Sequence, residues 1–170
     1  RNIKMFGKVE MTLRTFSKLK GLPVYCSSSA DLLGHVTNVC LSSKGFIFGL
    51  MMDGKGLFQR DRFVPLDSIY AVGDNGVMVE ERDKLLSLHE MKKQYTYNTY
   101  DDLCNKAVLT KEGEKLGLLE DVYFSEKMDT IEAYELTDGF FADIAEGKKV
   151  VKASGEPLSI GKDAIVIELY

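Results

Sequence analysis

Leu33-Gly34-His35-Val36-Thr37-Asn38-Val39 returns in the second half of the chain as Leu116-Gly117-Leu118-Leu119-Glu120-Asp121-Val122. Three further landmarks recur around this stretch in the same order. Upstream, Phe16-Ser17-Lys18-Leu19 returns as Tyr100-Asp101-Asp102-Leu103, an aromatic, a polar pair and a leucine. Downstream, Asp53-Gly54 returns as Asp138-Gly139. Val72-Gly73-Asp74-Asn75-Gly76-Val77-Met78-Val79-Glu80 then returns as Ile160-Gly161-Lys162-Asp163-Ala164-Ile165-Val166-Ile167-Glu168. The offset grows from 84 at the first landmark to 88 at the last, so the second copy holds a few inserted residues. Ordered self-similarity of this kind is the mark of a duplicated architecture. The chain reads as two homologous units, residues 12–80 and 98–170, with residues 81–97 between them.

Within each unit the local pattern is β. Short apolar runs with alternation, such as His35–Leu41 and Ala164–Leu169, are bounded by turn residues. Asp53-Gly54, Asn75-Gly76 and Asp138-Gly139 are pairs that accept the positive φ of tight hairpin turns. Pro23 and Pro65 sit where a strand begins or at an edge, positions that tolerate a missing N–H. Each unit opens with a single helical turn, which Thr99 is placed to cap in the second, with Asp101 and Asp102 at its positive end. Between the units, Glu81–Lys93 carries Leu85, Leu88 and Met91 at three-residue spacing among charges. That is the stripe of a short amphipathic helix lying on one of the units.

Composition narrows the function classes. The chain has 170 residues, 45% of them hydrophobic and 28% charged, which describes an ordinary globular protein. The longest uncharged stretches fall short of a membrane span, and no charged-then-apolar leader opens the chain. Position 1 is Arg, which makes Met11 a candidate natural start. Cys26, Cys40 and Cys104 are an odd number without paired spacing, which suits a reducing cytoplasm better than a disulfide scaffold. The net charge of −4 is unevenly spread: residues 1–15 carry +3, residues 16–80 balance to 0, residues 81–99 carry +1 and residues 100–170 carry −8. The second unit would therefore repel a polyanion. A basic N-terminal segment facing an acidic second unit also suggests electrostatic association within or between chains, so a homo-oligomer is expected as an option.

Arg14-Thr-Phe-Ser-Lys-Leu-Lys-Gly-Leu-Pro-Val24, Leu33-Gly34-x-Val36-x-x-Val39, Arg62-Phe-Val-Pro-Leu-Asp-Ser-Ile69 and Gly73-Asp-Asn-Gly-Val-Met-Val79 together resemble the PRC-barrel domain family. In the second unit, Gly113-Glu-Lys-Leu-Gly-Leu-Leu-Glu-Asp-Val122 looks like the same family's first hairpin. The second copy departs from the pattern after Asp138, with Val151-Lys152-Ala153-Ser154 where the first has Val64-Pro65-Leu66-Asp67. The resemblance implies an all-β protein of two tandem small antiparallel barrels joined by a short helical linker. The same domain resembles the cytoplasmic part of the photosynthetic reaction-centre H subunit and the C-terminal part of the ribosome maturation factor. In those relatives it docks rather than catalyses, so the resemblance carries over no catalytic residue.

The candidate chemistry is thin. A nucleophile needs a base and an orienting acid. His35 falls inside a strand run and His89 on the linker, and no G-x-S-x-G elbow is present. A Cys26/Cys40/His35 metal site lacks the close ligand pairs that zinc favours. The acidic residues of the second unit have no calcium-loop spacing. Asp53-Gly-Lys-Gly-Leu57 lacks phosphate-loop spacing and reads as a hairpin tip. No enzyme and no cofactor are expected. Tyr95, Tyr97 and Tyr100 could stack bases or pack the linker onto a barrel, and packing is the preferred reading.

The expected core is Phe16, Leu19, Val24, Val36, Val39, Ile47, Val64, Ile69 and Val79 in the first unit. Its counterparts are Tyr100, Leu103, Val108, Leu119, Val122, Ile131, Val151, Leu158 and Ile167. Small barrels bury limited cores, so the units should share an apolar interface. The leading functional expectation is a non-catalytic cytoplasmic adaptor that docks a protein partner. Its proposed surface is Phe58, Arg60, Arg62 and Phe63, two aromatics interleaved with two arginines in the manner of an interface hot spot. Against this stands the reading that Phe58 and Phe63 are core. A ribosome- or RNA-associated factor is one alternative, with nucleic acid met only through the ribosome. A small-ligand binder using the cleft between the barrels is the other.

Overall fold

The strand carrying Leu33–Val39 and its counterpart carrying Leu116–Val122 are the longest of their units, ten residues each. The computed structural model describes residues 2–5, 8–11, 14–54, 60–137, 149–152 and 158–169. In chain order, β1 (Asn2–Met5) and β2 (Lys8–Met11) form a separate hairpin, followed by β3 (Arg14–Thr15) and α1 (Phe16–Leu19). The first unit continues through β4 (Pro23–Cys26), β5 (Leu32–Leu41), β6 (Ile47–Met52), β7 (Arg62–Pro65), β8 (Ile69–Val72) and β9 (Val77–Val79). Next come β10 (Leu86–Ser87), α2 (Leu88–Gln94), β11 (Asn98–Thr99) and α3 (Tyr100–Leu103). The second unit is completed by β12 (Ala107–Thr110), β13 (Lys115–Phe124), β14 (Ile131–Thr137), β15 (Lys149–Lys152), β16 (Ser159–Ile160) and β17 (Ala164–Ile167).

The repeat read in the sequence is a repeat of topology. The strands run β7-β6-β5-β4-β9-β8 in the first unit and β15-β14-β13-β12-β17-β16 in the second. Neighbours are antiparallel except for one pair per unit, β4 with β9 and β12 with β17. The barrels are antiparallel as expected apart from this one pair, in which the last strand of each unit crosses back to lie along the first. The irregularities repeat as well. β5 slips register at Val36/Asn38 and Cys40/Leu41, and β13 at the matching Leu119/Asp121 and Tyr123/Phe124. A bulge adds a residue to one strand, bends it and increases its twist. Two bulges within ten residues let each long strand curl through its barrel.

Left-handed backbone positions are matched between units with the residue types exchanged. Gly21 (φ 86) corresponds to Asn105 (φ 67), and Ala30 (φ 59) to Gly113 (φ 90). Neither Asn75 nor Gly76 adopts positive φ, against expectation. That turn closes instead on a hydrogen bond from Gly73 N–H to Gly76 O, 2.9 Å.

Every expected core residue is buried except Ile69, which is half-buried against the same cluster. That cluster is continuous through both units. The reason is a reciprocal exchange. β3 of the first unit pairs with β13 (Thr15 opposite Tyr123), and β11 of the second pairs with β5 (Thr99 opposite Cys40). Between the two exchanges Phe16 stacks on its counterpart Tyr100, with ring centroids 4.1 Å apart. The residue just after the first bulge of each long strand then serves the other unit's helical turn. Asn38 Oδ1 accepts from Tyr100 N–H at 2.9 Å, and Asp121 Oδ1 accepts from Ser17 N–H at 3.3 Å. Each also accepts from the next residue of its own strand, Val39 and Val122. Thr99 is the N-cap of α3 as expected, in a capping box with Asp102: its N–H donates to Asp102 Oδ2 at 2.8 Å and its hydroxyl to the same oxygen at 3.0 Å. The first free N–H of that turn is satisfied from the opposite unit.

The segment between the units is helical over a shorter span than the leucine spacing suggested. α2 covers only Leu88–Gln94. Ser87 Oγ accepts from Glu90 N–H at 3.1 Å, and Glu90 Oε2 accepts from Ser87 N–H at 2.8 Å. This capping box starts the helix at Leu88. Leu85, read as part of the stripe, lies before the helix and is buried in the main core. Leu86 and Ser87 add to the edge of β7, opposite Phe63 and Arg62.

Candidate functional site

The surface singled out in the sequence lies at the β7 edge of the first unit. Strand alternation sends successive side chains of β7 to opposite faces. Arg62 is exposed, as are Arg60 and Asp61 just before the strand. Phe58 lies outside the described residues. Phe63 is fully buried. It belongs to a second, smaller cluster with Cys40 and Met91, packed by Phe48, Met51, Leu86, Leu88, Tyr95 and Tyr97. Its ring crosses Gly49, where an added Cβ would meet the ring at 2.8 Å. Tyr95 lies between Phe48 and Phe63, with centroids 4.6 and 5.8 Å away. Phe63 therefore acts as the seat on which the linker helix sits, and the exposed part of this surface is its arginines.

Sequence reasoning missed that α2 covers the Phe63 face of this edge. Met91 points into the cluster, so His89 and Lys93, two positions away on either side, lie on the opposite face, about 200° around the helix. His89, Lys92 and Lys93 are all exposed. The signal that would have placed them was Ser87-x-x-Glu90, which marks the helix start and hence its buried face. Glu90, the acid within this patch, is engaged by Ser87. The Ser87 N–H and hydroxyl hold its carboxyl below the usual range, and the nearby Arg62 and His89 charges add to this.

The other sequence candidates are dispersed. Cys26 packs into the main core, whereas Cys40 sits in the smaller cluster beneath α2, where burial pushes its thiol up to about 12. His35 is exposed, with Nδ1 3.9 Å from Asp53 Oδ1, while its backbone N–H donates to the same oxygen at 2.6 Å. Three potential metal ligands from the sequence thus occupy three separate environments. Ser28 forms a turn contact, its Oγ donating to Glu80 O at 3.0 Å. The tip at 55–57 lies outside the described residues. Tyr95 and Tyr97 pack the linker onto the first barrel, and Tyr100 is held in the interface between units, its hydroxyl donating to Glu120 O. No group of three or more metal-ligating side chains gathers among the described residues. No helix among them is long and apolar enough to cross a membrane.

Among the described residues, side chains pack directly across the space between the units. Phe16 and Tyr100 stack across it, and Leu158 lies against Gly45, where a Cβ would meet it at 2.8 Å. Ile47 N–H donates to Asp129 O at 2.9 Å and Ile160 N–H to Ser43 O at 2.8 Å, tying the units directly. Within the first unit, Arg14 of β3 donates to the carbonyls of Val72 and Gly73 at 3.0 and 3.1 Å.

Comparison with known proteins agrees with this architecture. The family model described as PRC-barrel domain matches twice, over residues 11–86 and 96–169. A Bacillus subtilis (strain 168) protein, "Uncharacterized protein YrrD", is 33% identical over 161 residues, covering 94% of this chain and 90% of that protein. The chain belongs to the PRC-barrel domain family, with two tandem copies of the barrel.

Proposed function

We propose that this protein is a non-catalytic adaptor that docks a protein partner on the outer edge of its first barrel. The observation carrying this reading is the placement of Arg60 and Arg62. Both are exposed at the β7 edge, beside a strand, β10, that ends the sheet among the described strands. An exposed sheet edge with arginines beside it supplies main-chain pairing and charge together, the two elements of strand-type recognition. The rigid seat beneath is equally relevant, because a surface held by Phe63, Cys40 and Met91 loses little freedom on binding. The packing of Phe16 on Tyr100 and of Leu158 on Gly45 across the units favours docking on an outer face over a small ligand held between the barrels.

Affinity capture from native lysate, with and without nuclease, tests this reading. The Arg60→Ala/Arg62→Ala protein is expected to fold normally and to lose the captured client. Capture that is unaffected by both substitutions would remove this edge from consideration. Ribosomal proteins lost on nuclease treatment would support the ribosome-associated alternative instead.

A further inference from the structure

The first barrel closes with its own chain an edge that the second leaves open. β15 takes the place of β7: Val151 pairs with Tyr134 as Val64 pairs with Leu50, and Lys149 with Leu136 as Arg62 with Met52. On β7 the outer edge receives β10, with Leu86 opposite Phe63 and Ser87 opposite Arg62. Leu86 packs on the smaller cluster and Leu85, one residue earlier, is buried in the main core, so two consecutive leucines seal that edge on both faces. No strand lies beyond β15 among the described strands. The difference reaches the core: Val64 is 0% exposed, its counterpart Val151 is 9% exposed, and Val150 is 51% exposed.

We infer that the β15 edge takes an extended acidic strand from a protein partner, in the place that β10 fills on the first barrel. This site is separate from the Arg60/Arg62 edge and does not depend on it. An open edge offers main-chain hydrogen bonds to an added strand. Lys149 and Lys152, both exposed, bracket the two valines, and neither forms an ion pair among the described residues. The carboxylates nearby, Glu132 and Glu135, belong to β14, one strand in from the edge; the charges of β15 itself are its two lysines. An antiparallel partner strand therefore places two apolar residues against Val150 and Val151, as Leu86 and Leu85 do on the first barrel, with an acid at each end opposite a lysine.

A second copy of the chain fits this edge poorly. Two-fold antiparallel pairing of β15 over its four residues sets Lys149 of each copy opposite Lys152 of the other, like charges directly opposed. A helix fits poorly as well, because Glu132 and Ala133 replace the Phe48 and Gly49 of the face that α2 covers.

The test uses the full chain, isotopically labelled, and two blocked hexapeptides, Thr-Glu-Leu-Leu-Glu-Thr and Thr-Lys-Leu-Leu-Lys-Thr, followed by amide chemical shifts. The acidic peptide is expected to shift the amides of residues 149–152 and to bind about tenfold more tightly than the basic one, from two ion pairs against two repulsions. Lys149→Glu/Lys152→Glu, which changes two exposed side chains, should reverse that preference and leave the urea midpoint unchanged. An equal response to both peptides, or none at these amides, would overturn the proposal. Resistance of all four amides to exchange in dilute free protein would overturn it too, by showing the chain's own residues on the edge. Shifts at these amides that grow with protein concentration alone would assign the edge to a second copy instead.

Discussion

Tyr134 shows how a single residue departs from its repeat partner. It occupies the β14 position matching Leu50 of β6, and both side chains are fully buried. The tyrosine brings a hydroxyl into that site, and this oxygen has no hydrogen-bond partner among the described residues. A buried hydroxyl without a partner loses its hydration and gains nothing in return. Tyr134→Phe removes the unsatisfied group and keeps the ring, so it is expected to raise stability by about 1 kcal/mol. The urea midpoint checks this, and a lower midpoint would show that the hydroxyl is satisfied in solution. A second matched pair tells the opposite story. Asn38 and Asp121 differ in charge yet perform the same task, because only the acceptor oxygen is needed to hold the other unit's helical turn. Reading either as a surface polar residue of a hairpin misses that the bulge turns it inward.

At the scale of elements, α2 is the part whose role the sequence stated least well. Its seven residues are too few to persist alone. Two things hold it: the capping box at Ser87 and the packing of Met91 on Phe63 and Cys40. Ser87→Ala is expected to cost about 1 kcal/mol and to loosen the helix locally. Faster amide exchange over residues 88–94 and alkylation of Cys40 at mildly alkaline pH would be the readouts. Unchanged exchange would mean that packing alone fixes the helix. The second barrel has no such cover in the described residues. Val150, at the β15 position that pairs with Glu135 as Phe63 pairs with Met51, is half exposed. The residues around it follow suit: Ala133 stands where Gly49 must accommodate the Phe63 ring, and Glu132 where Phe48 packs under Tyr95. A face without a covering helix has become small and polar.

The whole molecule is expected to unfold as one body. Exchange of β3 and β11 means that neither barrel's sheet is complete without a strand from the other half of the chain. A continuous core behind those strands couples the two halves. Urea denaturation followed by tyrosine fluorescence and by circular dichroism should give coincident single transitions. Two separated transitions would show that the exchanged strands contribute little. Alkaline pH probes the same core. Burial pushes the Cys40 thiol from its ordinary 9.0 up to about 12, and it raises the Tyr100 and Tyr134 phenols as well. These groups keep their protons in the folded protein at pH values where the unfolded chain has lost them. Their stabilisation is therefore full below pH 9 and declines as pH rises toward 12. Cys40→Val should make the decline in urea midpoint shallower between those limits, and an unchanged slope would place the effect on the tyrosines.

The sequence by itself determined the duplication, the β class and nearly all of the core, because these depend on period and polarity carried by neighbouring residues. Phe16 and Tyr100, or Val39 and Val122, are recognisable as inward-facing from a few residues on either side. It also displayed the Ser87-x-x-Glu90 signal, although the longer leucine spacing masked it. Only the tertiary structure decided that the two barrels exchange strands, that β9 and β17 run parallel to the first strands, and that Phe63 is a seat rather than a contact. Those outcomes depend on which segments meet across the fold. An aromatic between two arginines reads the same whether a helix later folds over it or solvent does. Here α2 folds back and buries the ring, while Arg60 and Arg62 stay exposed.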